Sequence, residues 1–172
     1  MLPMSERTIR DYLSQDHARL DRLLARAGQD QGRVDTQAFA EFRSGLLKHI
    51  GMEEKILLPA IHELRGGDPL PIAAQLRLEH GAIAALLVPS PRPAVVRALA
   101  AILARHNRVE EEPDGVYAEC DRIAGARREE ILNRIIEAPE VPAAKHVDSD
   151  RVEASARRAL VRAGFDPAVL DD

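Results

Sequence analysis

The chain has 172 residues, a formal net charge of −4, and 45% hydrophobic against 30% charged residues. That size and balance describe one globular domain able to bury a proper core, with room for a short appendage, and exclude a disordered chain. They leave no overall basic excess for nucleic acid, and no apolar run approaches the 18 residues of a membrane-spanning helix. The lone Cys120 excludes an internal disulfide and a thiolate metal cluster. No signal-like N-terminal segment is visible, so a cytoplasmic location is expected.

Aromatic residues make up only 3%, Trp is absent, and Ala, Leu, Arg and Glu dominate, a composition that favours helices. Apolar residues recur at helical spacing almost throughout. A first helix is expected from about Ser5 to Ala27, followed by the loop GQDQGRVD. A second is expected from about Thr36 to Leu64, with Pro59 as a bend and RGGDPLP as its end. A third spans about Pro71 to Leu87, before the break PSPRP. A fourth starts near Ala94, bends or restarts at Pro113-Asp114-Gly115, and continues from Val116 to Ile136. Short breaks between four amphipathic helices predict an all-α fold, an antiparallel up-down-up-down four-helix bundle over residues 1–138. PEVPAAKHVDSD then reads as a linker, so residues 139–172 are a linker and a short, arginine-rich C-terminal helix. Asp150 and Glu153 stand as its capping box and Gly164 as its stop. That helix is expected to pack on the bundle, with a partner-binding tail as the alternative.

Each helix shows one inward stripe at 3-4-3-4 spacing. In the second, positions 39, 42, 46, 49, 53, 56 and 60 are apolar except His49 and Glu53. In the fourth, positions 96, 99, 103, 106 and 110 are apolar except His106 and Glu110. His17 interrupts the stripe 9, 13, 17, 20, 24, and His80 interrupts 72, 76, 80, 83, 87. A carboxylate in a core must be neutralised, paired or metal-bound, and no Lys or Arg falls in these stripes. A metal site built from His17, His49, Glu53, His80, His106 and Glu110 meets that need. His62 lies off its stripe and His146 lies in the linker, so both read as non-ligands.

The chain also looks internally duplicated. DHARLD and HIGMEE in the first half answer to EHGAIA and HNRVEE in the second, with the histidines offset by 63 and 57 residues. Each half supplies two imidazoles and one carboxylate able to bridge, which is what a two-metal site needs.

DHARLD, HIGMEEKILLP, RLEH and HNRVEE, in that order, resemble the hemerythrin-like (HHE cation-binding) family over about residues 5 to 136. The resemblance implies an antiparallel four-helix bundle around a non-haem di-iron centre, with Glu53 and Glu110 bridging and the four histidines terminal. Two departures stand out. Oxygen-carrying hemerythrins have a second histidine one turn after the third-helix one, where this chain has Ala84; they use H-x-x-x-x-D in the last helix, where it offers Glu110 and Glu111. Glu110 is favoured because it repeats the spacing of Glu53, with Glu111 as the fallback. The four-His, two-Glu set is similar to that of hemerythrin-like iron- and oxygen-sensing domains and of di-iron proteins that repair iron–sulfur clusters, although the cysteine-containing N-terminal segment of the repair proteins is missing.

Carboxylate, imidazole and water suit two Fe ions, with Mn and Zn also admissible. Losing one imidazole opens the site, which favours binding or sensing of O2 or NO, or a related redox signal, over reversible oxygen carriage. The alternatives are a di-iron enzyme that reduces NO, decomposes peroxide or repairs iron–sulfur clusters, and a helical interaction module with a structural metal, whose protein partner docks on the C-terminal helix. Asp16, Glu54 and Glu79 stand beside ligands as acceptors for imidazole N–H groups or as a proton route. Tyr117 is placed to line the site, and Cys120 reads as core filler.

Overall fold

The computed structural model describes residues 7–30 and 32–171, which form helices joined by loops, with no strand among them. The helices are α1 (Ile9–Ala27), α2 (Thr36–Met52), α3 (Leu58–Leu64), α4 (Ala73–Leu86), α5 (Pro93–Glu111), α6 (Val116–Ala124), α7 (Arg128–Ile136) and α8 (Asp150–Arg162). A helix start at Ser5 lies outside the described residues. Thr8 caps α1 instead, its side chain accepting from the Asp11 N–H while Asp11 accepts from the Thr8 N–H. Asp121 of α6 adds a second cap, accepting from the N–H groups of Ile9 and Arg10. This ties the start of α1 to the distant α6 and satisfies donors that the helix itself leaves open.

The expected second helix is continuous from α2 to α3, but the joint is a π-helical turn over Glu53–Leu57, in which Leu58 N–H bonds to the Glu53 carbonyl. Pro59, placed at the first turn of α3, has no N–H to give, so the helix takes in one extra residue where a simple bend was expected. That residue rotates the following face. The expected stripe shifts at 56, where Leu57 fills the core and Ile56 is only partly buried, while Ala60 keeps its core place beside Ile61. Gly66 and Gly67 then end α3 at φ 72° and 96°, a left-handed backbone open to glycine.

Two apolar clusters make the core. One gathers Leu20, Leu24, Phe39, Phe42, Leu46, Ile83, Leu86, Leu99 and Leu103. The other gathers Ile9, Leu13, Met52, Leu57, Ile61, Leu76, Tyr117, Cys120 and Ile131. Each fully buried Leu or Ile side chain contributes about 1.5–3 kcal/mol relative to exposure. On three helices a histidine marks the change from one cluster to the other: Leu13, His17, Leu20 on α1; Leu46, His49, Met52 on α2; Leu76, His80, Ile83 on α4. On α5, His106 and Glu110 follow Leu103 and precede Val116 of α6. The polar residues therefore form one slice closed above and below by apolar side chains.

The C-terminal segment lies along this body. Arg43 donates to the Ala144 carbonyl, Val147 N–H to the Val88 carbonyl, and Ser90 bonds Asp148. The expected capping box at Asp150 and Glu153 is corrected by one residue. Ser149, in extended backbone, caps α8 by accepting from Val152 N–H, and Glu153 pairs with Arg157. Ala156, Ala159 and Leu160 join the first core cluster, and α8 packs against α4. Gly164 ends the helix with φ 81°. No described helix is long and apolar enough to cross a membrane.

Candidate metal centre

All six residues singled out by the stripes are buried: His17, His49, Glu53, His80, His106 and Glu110 are each between 1% and 4% exposed. The helices bring them together in one slice. His62 and His146 are exposed and lie outside it.

Every imidazole is oriented by a carboxylate on its outer nitrogen. Nδ1 of His49 stands 2.9 Å from Asp16, that of His80 2.7 Å from Glu54, that of His106 2.7 Å from Glu79, and that of His17 2.6 Å from Glu111. The carboxylates accept there, so each Nδ1 carries the hydrogen and each Nε2 is turned inward. The anchors run round the bundle. α1 holds the histidine of α2, the turn after α2 holds that of α4, α4 holds that of α5, and α5 holds that of α1. Each anchor is also the sequence neighbour of an inward residue, Asp16 of His17, Glu54 of Glu53, Glu79 of His80 and Glu111 of Glu110. The second glutamate of each H-x-x-x-E-E motif thus serves the next helix.

Inside the ring the two carboxylates divide their oxygens. Glu53 has Oε1 3.6 Å from His49 Nε2 and Oε2 3.1 Å from His80 Nε2. Glu110 has Oε1 3.3 Å from His106 Nε2 and Oε2 3.5 Å from His17 Nε2. Two groups of donors result, one around His80, His106, Glu53 and Glu110, the other around His17, His49 and Glu53. Glu111, 36% exposed at its side chain, reaches only the outer nitrogen of His17.

These donors fit a cation. Nε2 of His80 and Nε2 of His106 face each other at 3.1 Å, and the buried Glu53 Oε2 has no hydrogen-bond partner. A buried acceptor without a partner costs about 1–3 kcal/mol, which a bound cation removes. Without one, protons balance the cage. Burial pushes the His17 imidazole down to about 3, with His49 adding to the effect. Burial acts likewise on His49 and His80, but Glu53 with Asp16, and Glu53 with Glu54, raise them to about 9. Burial would lift Glu53, yet His49 and His80 hold it well below the usual carboxylate range. Burial, together with the charge of Glu53, pushes Glu110 well above that range. Burial also works against Glu79, but hydrogen bonds from His106, Gln75 and Arg105 bring it down to about 2.

The hemerythrin HHE cation-binding domain model matches residues 8–114. The chain belongs to this family. Comparison with curated proteins and with solved structures finds no match. The HHE match spans all six inward residues and all four anchors, and it ends before Tyr117. Asp16, Glu54 and Glu79 hold imidazoles as the sequence leads one to expect, whereas Glu111, by spacing only a fallback ligand, is the fourth imidazole acceptor. The doubled glutamate was the available signal, since Glu54 and Glu111 hold equivalent places in the two repeats.

Proposed function

We propose that this hemerythrin HHE protein is a non-haem di-iron protein that binds or senses O2, NO or a related redox signal. The observation that carries the reading is the shared pair of carboxylates. Glu53 and Glu110 each turn one oxygen to a histidine of the His17/His49 pair and the other to a histidine of the His80/His106 pair. His17 and His49 would hold one iron, His80 and His106 the other, with Glu53 and Glu110 bridging. Iron, when bound, supplies a redox couple and an acceptor for a small diatomic ligand or peroxide. The chain's own part is to orient the four Nε2 atoms through the outer carboxylates, and to exclude bulk water with the two apolar clusters.

The same reading carries an antiparallel up-down-up-down bundle over residues 1–138, with a linker and packed helix at 139–172, in a cytoplasmic protein. The order of clusters supports the topology. α1 and α4 run from the Tyr117 cluster to the Phe39 cluster, whereas α2 and α5 run the opposite way.

Metal analysis of anaerobically purified protein, with spectra before and after oxygen, tests the proposal. Two irons per chain and an oxygen- or NO-dependent absorption change are expected. Fewer than one metal per chain, or a zinc protein blind to oxygen, would overturn it. Steady-state turnover of NO or peroxide would instead assign a di-iron enzyme.

A further inference from the structure

Four side-chain atoms converge on one phenol. Tyr117 Oη lies 2.5 Å from Glu53 Oε1, 3.1 Å from Glu110 Oε2, 3.3 Å from His17 Nε2 and 3.3 Å from His49 Nε2. The ring is fully buried. A hydroxyl has one proton to give and two lone pairs, so it cannot satisfy four such neighbours as hydrogen-bond partners together. Two donors adjacent on one metal, with bonds of about 2.1 Å, stand about 3 Å apart. The four distances at Tyr117 are of that size, and so are the neighbouring edges, 3.5 Å from His17 Nε2 to Glu110 Oε2 and 3.6 Å from His49 Nε2 to Glu53 Oε1.

We propose that Tyr117 is itself a metal ligand, its phenolate oxygen closing the His17/His49 half so that an external ligand goes to the His80/His106 half. This rests on the two-metal reading above. The asymmetry is written in the sequence. Tyr117 follows Glu110 by seven residues, and the residue seven after Glu53 is Ala60. Among the described residues, the His, Cys, Asp and Glu donors grouped at the second half are His80, His106, Glu53 and Glu110. A phenolate is a hard anionic oxygen that suits ferric iron. On binding, the phenol O–H bond breaks, the oxygen takes the metal, and the proton now directed at Glu53 Oε1 leaves to solvent.

The turn after α5 is built for this delivery. A Cβ at Gly115 would lie 2.7 Å from the Val109 carbonyl oxygen and 2.8 Å from that of Glu110, so glycine lets the chain fold tightly back. Tyr117 then enters the slice from the first turn of α6.

The test is resonance Raman and visible absorption of the full chain, loaded anaerobically with two ferrous ions per chain and then oxidised. A phenolate-to-iron band with enhanced tyrosinate ring modes is expected. Both should vanish in Tyr117→Phe and persist in Tyr12→Phe, with iron remaining near two per chain. These are the chain's two tyrosines, so ring-deuterated tyrosine in the wild type and in Tyr12→Phe decides the matter even if Tyr117→Phe fails to fold. Two irons without tyrosinate modes would overturn the ligand assignment and leave the di-iron reading intact. Iron below two per chain in the wild type would remove both. Added azide should leave the tyrosinate modes in place, and their loss would overturn the assignment of external ligands to the His80/His106 half.

Discussion

His106 and Glu79 stand 2.7 Å apart, and the same carboxylate takes a second hydrogen bond from Arg105 at 2.8 Å. Arg105 also donates to the Ala163 carbonyl and lies over the ring of Phe165, 3.7 Å from its centroid. One carboxylate thus orients an inward imidazole and, through Arg105, holds the end of the C-terminal helix. Glu79→Gln keeps the shape but removes the charge that fixes the His106 tautomer. We expect a roughly 10–100-fold loss of metal affinity with an unchanged helical spectrum, read by competition with a metal chelator.

Arg105→Ala should act on the other end of the same connection. It removes hydrogen bonds and a cation–π contact, for a destabilisation of about 1–3 kcal/mol. Hydrogen exchange should speed up over residues 150–165, with smaller changes in α1 and α2. Uniform acceleration across the chain would show that Arg105 does not act locally.

The doubled glutamates make a sharper pair. On the di-iron proposal, Glu110→Gln should remove a carboxylate shared by both irons and lower iron content below two per chain. Glu111→Gln only weakens the hold on His17 Nδ1, and should retain two irons with an affinity loss of about 10–100-fold. Metal analysis of both variants separates them, and reversed outcomes would make Glu111 the ligand.

Metal uptake should depend on pH. The buried charges around His49 and His80 raise both imidazoles to about 9, so near neutrality each carries a second proton, on the Nε2 that a metal needs. Binding must expel these protons. Affinity should therefore increase as pH rises towards about 9 and fall as it drops. Calorimetry in buffers of different ionisation enthalpy should show net proton release at pH 7. The anchor on His106 does not limit the acid side, because Glu79 stays charged down to about 2. Its depressed value contributes stability above the ordinary 4.5, and that contribution is lost as pH falls through about 2.

Gly115→Ala tests how the turn presents Tyr117. The new methyl meets backbone carbonyls, which cannot swing aside as side chains do. Overpacking of this kind costs about 1–3 kcal/mol, measured by denaturant unfolding. If Tyr117 is displaced, the visible spectrum of the iron-loaded protein should change with it.

Much of the slice was legible from helical periodicity alone. Residues 17, 49, 53, 80, 106 and 110 fall on apolar stripes because a helix repeats every 3.6 residues, and burial follows from that repeat. The π-turn at Glu53–Leu57 was not legible, since its extra residue breaks the repeat; Leu57 takes the core place expected for Ile56, and Ile61 joins Ala60 in the core.

The sequence by itself determined that the side chains at 17, 49, 53, 80, 106 and 110 face inward, because that property is local to each helix. Only the tertiary structure decided which carboxylate serves which imidazole. Asp16 reaches His49 across 33 residues and Glu111 reaches His17 across 94, through helix rotations that no spacing encodes. It also decided that the Tyr117 hydroxyl enters one half of the slice, because that placement depends on the tight turn at Gly115 and on the angle at which α6 returns to the bundle.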